Sequence, residues 1–293
     1  MSFSNDVKNE LLPLLPKARH CMIAELAAFC LLLGRCEKCG ENRVFRLDTE
    51  NAEIKRKYFT LLNKTISISG NDSALTLEET EELFKVLKIR EDLDHVDGIL
   101  LQQTCCKKAF IRGAYLATGS LSNPATGYHF EIVLKQADLA KQIRDIIISF
   151  GIEAKIVPRK NCYVVYVKES ECIEDLLAIM GANVAYLKFE NIRIEKEMRN
   201  SINRKVNCET ANITKTVSAA VRQMEDIRLI DETRGLKSLP ANLREIAEVR
   251  LEHPDVALKD LGNLLDPPVG KSGVNHRLRR IGEIANTIRI SNK

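Results

Sequence analysis

A run of cationic, amide and hydroxyl side chains around residue 275 carries the groups in this sequence that are best suited to chemistry. Its members are Lys271, Ser272, Asn275, His276, Arg277, Arg279 and Arg280. Arginine and asparagine can form paired hydrogen bonds with the edges of bases, and cationic side chains neutralise phosphates. The run therefore predicts a surface for double-stranded DNA. A solvated basic stripe on an ordinary three-helix bundle is the alternative interpretation.

The segment is predicted to form a helix that starts near Ser272, with Ser272 as its N-cap. The position of each residue on that helix then separates base contacts from phosphate contacts. Val274, Leu278 and Ile281 would then form a buried row, and Arg277 and Arg280, which flank it, should lean toward phosphates. The side chains nearer the helix start should approach base edges: Lys271 and Asn275, joined by His276 or Arg279. The run thus predicts different residues for reading sequence and for general affinity.

A second polar segment, residues 203–212, is dense in side-chain amides and basic groups. Arg204, Lys205 and Asn207 are candidates for phosphate contacts at a hinge between two domains. The same composition fits a polar helix start in which asparagine and threonine serve as caps. Both interpretations remain open.

Nine cysteines raise the question of a metal. Cys36 and Cys39 have the spacing of a zinc knuckle, and Cys105 with Cys106 could complete four thiolates. A second CxxC motif and a histidine pair at ligand spacing are absent from the sequence. We therefore expect reduced thiols, a solvent-facing loop at Cys36–Cys39, and no bound metal or cofactor. Zinc at this loop is the alternative.

The basic run needs a scaffold, and the last sixty residues predict three short helices. One helix follows Pro240 and runs to Glu252, a second spans 256–265, and the third carries the basic run. Pro267 and Pro268 separate the second helix from the third, because proline cannot continue a helix. Residues 236–293 are thus predicted to form a helix-turn-helix domain that folds alone. Residues 186–235 are predicted to be a helical linker before it.

The first two thirds of the chain contain one segment twice, 85 residues apart. Residues 24–34 recur as 109–119, and the same offset relates Phe45 to Phe130 and Leu47 to Ile132. A fixed offset through helix and strand predicts a duplicated α+β unit with repeats at about 21–104 and 105–185, after an N-terminal helix in 1–20. Small residues on one face of each repeated helix predict that the two helices pack closely. Two ordinary buried helices at a coincidental distance are the alternative.

Each repeat is predicted to continue from its helix through strands and a second helix. The first repeat should have strands at Val44–Asp48 and Thr65–Ser69. Alternating apolar and polar residues predict strands at Tyr128–Leu134 and Cys162–Val167 in the second.

The repeated helices resemble those of the LAGLIDADG homing endonucleases, in which an acidic residue just before the terminal glycine of each helix holds the catalytic metals. Leu33 and Thr118 occupy these positions here. Neither side chain can supply the anionic oxygens that Mg²⁺ requires. The resemblance therefore implies the nuclease scaffold, and the two residues predict that cleavage chemistry is missing.

Charge is distributed unevenly along the chain. Residues 1–185 carry 24 Lys and Arg against 25 Asp and Glu, whereas residues 186–293 carry 20 against 15. The basic excess lies where a polyanion is expected to bind. The start of the chain does not resemble a secretory signal, and no apolar run reaches membrane-spanning length. We expect a cytoplasmic, nucleoid-associated protein that does not bind a membrane and has no small-molecule substrate.

Three segments together resemble the WhiA family of bacterial DNA-binding regulators: residues 105–120, 203–212 and 271–280. The resemblance implies a degenerate LAGLIDADG domain followed by an all-α helix-turn-helix domain similar to region 4 of sigma factors. It further implies a non-catalytic, sequence-specific transcriptional regulator involved in sporulation, cell division or chromosome segregation. Other regulatory proteins are candidate partners besides double-stranded DNA.

Two other functions are compatible with parts of the sequence. The chain could be a protein-interaction scaffold that binds DNA only weakly, or an active homing-type endonuclease. Leu33 and Thr118 already count against the nuclease, and the salt dependence of DNA binding would separate the regulator from the scaffold.

Overall fold

Two units, each with its own apolar core, make up the chain: Met1–Glu197 and Met198–Lys293. The computed structural model describes residues 2–39, 42–68, 74–89 and 93–291. The α-helices are α1 (Phe3–Leu11), α2 (Arg19–Leu33), α3 (Ala52–Ile66), α4 (Leu77–Leu87), α5 (Thr104–Thr118), α6 (Ala137–Ile148), α7 (Ser170–Met180), α8 (Asn183–Arg234), α9 (Ala241–Glu252), α10 (Leu258–Asn263) and α11 (Lys271–Ser291). The strands are β1 (Gly34–Cys39), β2 (Asn42–Leu47), β3 (Gly119–Leu121), β4 (Phe130–Leu134), β5 (Lys155–Arg159) and β6 (Cys162–Val167). Single 3-10 turns lie at Gly98–Leu101 and Leu236–Ser238.

The duplication predicted from sequence is present in the fold. Helices α2 and α5 have bounds that differ by 85 residues at both ends, and α3 and α6 begin 85 residues apart. A Cβ atom at Gly113 would lie 2.8 Å from the Glu25 carbonyl oxygen and 2.9 Å from the Ala28 Cβ. Ala28 and Gly113 are equivalent positions of the two repeats. The expectation that small residues let α2 and α5 pack with their backbones close together is therefore confirmed.

Each repeated helix feeds directly into a strand. β1 pairs antiparallel with β2, Gly34 opposite Leu47, and β3 pairs antiparallel with β4, Gly119 opposite Ile132. The second repeat extends its hairpin into a four-stranded antiparallel sheet of order β3-β4-β6-β5. Residues of β4 alternate between buried and half-buried, as expected for a strand with one face on the core. The α+β prediction is confirmed.

The strand predicted at Thr65–Ser69 is wrong over the residues that the structure describes. Thr65 and Ile66 form the last turn of α3, and Ser67 follows in a left-handed conformation with φ 62°. The Thr65 hydroxyl donates to the Leu61 carbonyl oxygen at 2.7 Å. Burial at Tyr58, Leu61, Leu62 and Thr65 follows the helical period, so packing of the helix face outweighs the β propensity of threonine and isoleucine. Ser69 lies outside the described residues.

A buried charge cluster joins several elements of the first unit. The Glu25 carboxylate of α2 is fully buried and lies 2.9 Å from Lys57 Nζ of α3 and 2.7 Å from Arg112 Nη2 of α5. Lys57 Nζ also donates to the carbonyl oxygens of Leu11 and Leu14. Burial lowers the pKa of Lys57, and the Glu25 carboxylate opposes that shift. These contacts satisfy a charge that would otherwise be too costly to bury.

Helix α8 runs from Asn183 to Arg234 without a break and covers almost all of the predicted helical linker, residues 186–235. Glu10 of α1 caps its start by accepting hydrogen bonds from the backbone N–H groups of Val184 at 2.8 Å and Ala185 at 2.9 Å. Its last turns carry Ile227 and Ile230, both fully buried in the core of the second unit. The segment assigned to a linker therefore contributes directly to that core.

The second unit ends in the predicted three-helix arrangement of α9, α10 and α11. Its core combines Leu243 and Ile246 of α9 with Leu261 of α10 and Val274 of α11. Gly262 allows a tight turn between α10 and α11, because a Cβ atom there would collide with the Val269 carbonyl. The Val269 N–H also donates to the Gly262 carbonyl oxygen at 2.9 Å. The predicted helix-turn-helix fold is confirmed.

Buried polar contacts hold α9 against the end of α8. Arg250 is almost fully buried, and its Nε donates to the Gln223 Oε1 of α8 at 3.1 Å. Its Nη1 donates to the Val256 carbonyl oxygen at 2.7 Å. Burial lowers the pKa of Arg250, and Asp255 partly offsets this effect.

None of the helices in the described ranges combines the length and hydropathy that crossing a bilayer requires.

Candidate nucleic-acid interface

Helix α11 presents the predicted basic run in its first three turns. The helix begins at Lys271, and the Val274 N–H donates to the Gly270 carbonyl oxygen at 3.1 Å. Ser272 therefore lies inside the first turn, and the expectation that it is the N-cap is wrong. The buried row of this helix consists of Val274, Leu278, Ile281, Ala285 and Ile288. This row fixes which side chains can face a ligand.

Six of the seven predicted contact residues are exposed on α11: Lys271, Ser272, Asn275, His276, Arg279 and Arg280. At about 100° per residue, Ser272, His276 and Arg279 lie nearly opposite the buried row. Asn275 and Arg280 lie on the two flanks of that outward face. These five side chains therefore share one surface near the helix N-terminus, which is the end that a recognition helix presents to base edges, whereas Lys271 lies closer to the buried row.

Arg277 differs from the others because it is turned toward α9. Its side chain is only 22% exposed, and its Nη1 lies 3.5 Å from Glu245 Oε2. The same Nη1 donates to the Asn242 carbonyl oxygen at 3.4 Å. The Glu245 carboxylate in turn accepts from the Asp266 N–H at 2.8 Å. In this conformation Arg277 fixes α11 against α9 and the turn, whereas the sequence favoured a phosphate contact.

Arg279 and Arg280 remain accessible although both approach Glu283. Arg279 Nε lies 3.4 Å from Glu283 Oε1 with 79% of its side chain exposed, and Arg280 Nη1 lies 3.0 Å from Glu283 Oε2 with 63% exposed. Exposed ion pairs of this kind contribute only about 0–1 kcal/mol. Both guanidinium groups can therefore exchange the carboxylate for a phosphate or a base edge at little cost.

Arg204, Lys205 and Asn207 lie on α8 within a stretch, residues 198–219, in which every residue is exposed. The stretch carries four Lys and Arg against one acidic residue, Glu209. These positions stand in the middle of a long helix, so the interpretation as a capped helix start does not apply to them. They form a basic, amide-rich helical surface that is open to solvent.

A cleft of about 480 Å³ lies beside the two degenerate metal positions of the first unit. Leu33 and Thr118 are the last residues of α2 and α5, and each precedes a glycine with extended backbone. The described residues that line the cleft include no Asp or Glu, whereas Lys135, Arg159 and Lys160 contribute cationic groups. The sequence did not single out these three cations, which become neighbours only when the sheet forms.

The structure separates the cysteines that the sequence considered together. Cys36 and Cys39 lie on strand β1 rather than in a turn, and the side chain of Cys39 is outside the described residues. Cys105 and Cys106 instead lie beside His20 and Cys21. The 85-residue offset already contained this relation, because it aligns His20 with Cys105 and Cys21 with Cys106.

Comparison with known proteins supports the two-part architecture. The family model described as the WhiA C-terminal HTH domain matches residues 202–285, and the WhiA LAGLIDADG-like domain matches residues 107–199. A relative from Lachnoclostridium phytofermentans, named "Probable cell division protein WhiA", is 48% identical over 314 residues, covering 99% of this chain and 100% of the relative. A relative of the same name from Clostridium perfringens strain 13 is 44% identical over 315 residues, with 100% of both chains covered.

A solved structure extends the similarity to the whole fold. The crystal structure of full-length WhiA from Thermotoga maritima is 26% identical in sequence and aligns with a TM-score of 0.57. The alignment covers 98% of this chain and 99% of that chain.

Proposed function

The chain belongs to the WhiA family, and we propose that it is a non-catalytic, sequence-specific DNA-binding protein that regulates transcription. Its ligand is double-stranded DNA, and its site of action is the nucleoid in the cytoplasm. The relatives named above are named for cell division. We place the regulated genes in cell division and chromosome segregation or in sporulation.

The exposed start of α11 is the observation that carries this proposal. The helix N-terminus offers an amide at Asn275 and a cation at Arg279 on one side, with His276 and Arg280 beside them. Bidentate hydrogen bonds from asparagine and arginine distinguish bases in the major groove. In a helix-turn-helix, the second helix enters that groove and the first crosses the backbone. Here α11 reads sequence, and α10 approaches the phosphates.

Other side chains are assigned to general affinity for DNA and to the positioning of α11. Arg280 lies on the flank of the outward face that is remote from Asn275 and Arg279, and we assign it to phosphate. Arg204 and Lys205 add a second cationic surface on the exposed part of α8. Such contacts act on every sequence alike and weaken as salt rises, because they release condensed counterions. Arg277 holds the reading helix in place through Glu245.

The first unit supports DNA binding without cleavage in this proposal. Phosphodiester hydrolysis by this scaffold needs carboxylates that hold divalent metal at the ends of α2 and α5. Leu33 and Thr118 provide an apolar side chain and a neutral hydroxyl. The cationic lining at Lys135, Arg159 and Lys160 suits the approach of a polyanion.

A selection experiment tests both halves of the proposal. The purified full-length chain is incubated with a random duplex library and Mg²⁺ or Mn²⁺, and bound duplexes are recovered and sequenced over several rounds. We expect convergence on one sequence motif, recovered with uncut strands. Divalent-dependent cleavage that co-purifies with the chain would contradict the non-catalytic assignment. Failure to converge, with weak and uniform binding, would instead favour the protein-interaction scaffold.

A further inference from the structure

One histidine and three cysteines meet in the first unit. The side-chain ligand atoms of His20, Cys21, Cys105 and Cys106 all lie within 4.8 Å of one another. His20 Nδ1 is 3.1 Å from Cys106 Sγ and 3.3 Å from Cys21 Sγ. The four ligand atoms are therefore close enough together to be drawn onto one ion by small side-chain rotations.

The duplication explains why they meet. His20 and Cys21 are the second and third residues of α2, and Cys105 and Cys106 are the second and third residues of α5. The close packing of α2 on α5 places equivalent positions of the two repeats side by side. Each repeat thus contributes two adjacent ligands, and the meeting point lies between the two helix N-termini.

The helix starts favour anionic ligands at this point. The residues before the two helices, Ala18 and Gln103, have similar extended backbones and make no side-chain cap hydrogen bond. Unsatisfied N–H groups and the macrodipole make a helix N-terminus favourable for a thiolate. Two such termini converge here and oppose the burial that raises the pKa of Cys21 and of Cys106. A bound cation would supply the remaining positive charge that holds the sulfurs as thiolates.

The distances suit a tetrahedral ion. Zinc–sulfur bonds of about 2.3 Å and zinc–nitrogen bonds of about 2.0 Å place ligand atoms roughly 3.5–3.8 Å apart in a tetrahedron. Side-chain rotations that draw the longer separations in by about 1 Å satisfy this geometry. Cys21 and Cys106 are buried and His20 and Cys105 are exposed, which gives the ion an inner pair of ligands and a path from solvent.

We propose that His20, Cys21, Cys105 and Cys106 bind a structural zinc ion that ties the N-terminal ends of α2 and α5 together. Four protein ligands leave no open position, so the ion serves folding rather than catalysis. The proposal departs from the expectation of a chain without metal. Local spacing singles out Cys36 and Cys39, whereas the proposed ligands lie on two helices 85 residues apart.

Metal analysis of the reduced, untagged full-length chain tests the proposal. We expect about one zinc ion per chain. Replacement of zinc by Co²⁺ should give a thiolate charge-transfer band and the strong visible absorption of tetrahedral cobalt. Removal of zinc with a chelator should lower the thermal midpoint of the first unit by about 10 °C.

Variants locate the site. Cys105→Ser and His20→Asn change exposed ligands and should keep the helical circular dichroism of the wild type. Each should weaken Co²⁺ binding on the order of a hundredfold or more, beyond what loss of an outer hydrogen bond causes. Cys208→Ser, an exposed cysteine on α8, and the double variant Cys36→Ser with Cys39→Ser should retain wild-type metal content.

Several results would overturn the proposal. One is reduced wild-type protein that carries no zinc and gives no cobalt spectrum. Another is metal that survives in the His20→Asn and Cys105→Ser double variant, or metal that is lost from the Cys36 and Cys39 double variant. A disulfide among Cys21, Cys105 and Cys106 in protein alkylated under anaerobic conditions would assign the cluster to thiol chemistry instead.

Discussion

Glu25→Ala is expected to lower the free energy of unfolding of the first unit by about 3–5 kcal/mol. The carboxylate neutralises Lys57 and Arg112 in a buried position, and its removal leaves both cations without an anionic partner. The loss should also let the pKa of Lys57 fall further, because the Glu25 carboxylate is the group that opposes the effect of burial. Denaturant unfolding followed by circular dichroism measures the change.

Two further variants separate charge from packing at this cluster. Glu81→Ala removes an exposed glutamate from α4 and should change the free energy of unfolding by less than about 0.5 kcal/mol. The triple variant Glu25→Leu, Lys57→Met and Arg112→Met replaces all the charges with apolar groups and should recover much of the lost stability. A Glu25→Ala protein as stable as the Glu81→Ala control would show that the charge cluster is not needed.

Truncation is the second change with a large expected effect. A fragment of residues 236–293 should lack a cooperative unfolding transition, whereas a fragment of residues 198–293 should fold. The shorter fragment loses Ile227 and Ile230, and removal of each such buried side chain costs about 2–5 kcal/mol. It also loses Asp226, whose Oδ1 lies 2.7 Å from Arg289 Nη1. A domain with a core of this size is only marginally stable.

Thermal unfolding of the two fragments, with an intermediate fragment of residues 216–293 as a control, measures the contribution of the end of α8. The intermediate fragment keeps Gln223, Asp226 and both isoleucines, so its transition should match that of the longer one. Equal transitions for residues 236–293 and 198–293 would contradict the assignment of α8 to this core. Such a result would restore the original expectation that the three short helices fold alone.

The repeats could be predicted from sequence because similar residues recur 85 positions apart wherever packing restricts the choice of side chain. Gly34 and Gly119 mark the ends of α2 and α5 in both the sequence and the structure. The predicted strand Thr65–Ser69 was wrong over its described part because the propensity of a short segment does not reveal which face is buried. Tertiary contacts decide that, as the burial along α3 illustrates.

The exposed face of α11 was also predictable, because the buried row of this helix has a clear helical period. The orientation of Arg277 was not, since its partner Glu245 lies 32 residues earlier and no local pattern joins them. The contact between His20 and Cys106 follows from the duplication only when the two repeated helices are also known to pack side by side. Contacts between distant residues are the part of the site that composition and spacing leave open.

DNA titration of three single variants tests the central claim that the start of α11 reads sequence. Fluorescence anisotropy at two salt concentrations would compare the selected duplex with a scrambled one. Asn275→Ala should reduce the ratio of specific to random affinity by an amount equivalent to roughly 1–3 kcal/mol. Arg280→Ala should weaken binding to both duplexes similarly and reduce the salt slope by about 1.

Asn286→Ala provides the matched control, because this exposed amide lies on the same helix about 16 Å further along its axis. It should leave the affinity ratio and the salt slope unchanged. If Asn275→Ala behaves like this control while Arg280→Ala alters the ratio, the outward face of α11 does not read bases as proposed. If all three variants bind both duplexes as the wild type does, sequence recognition does not depend on α11.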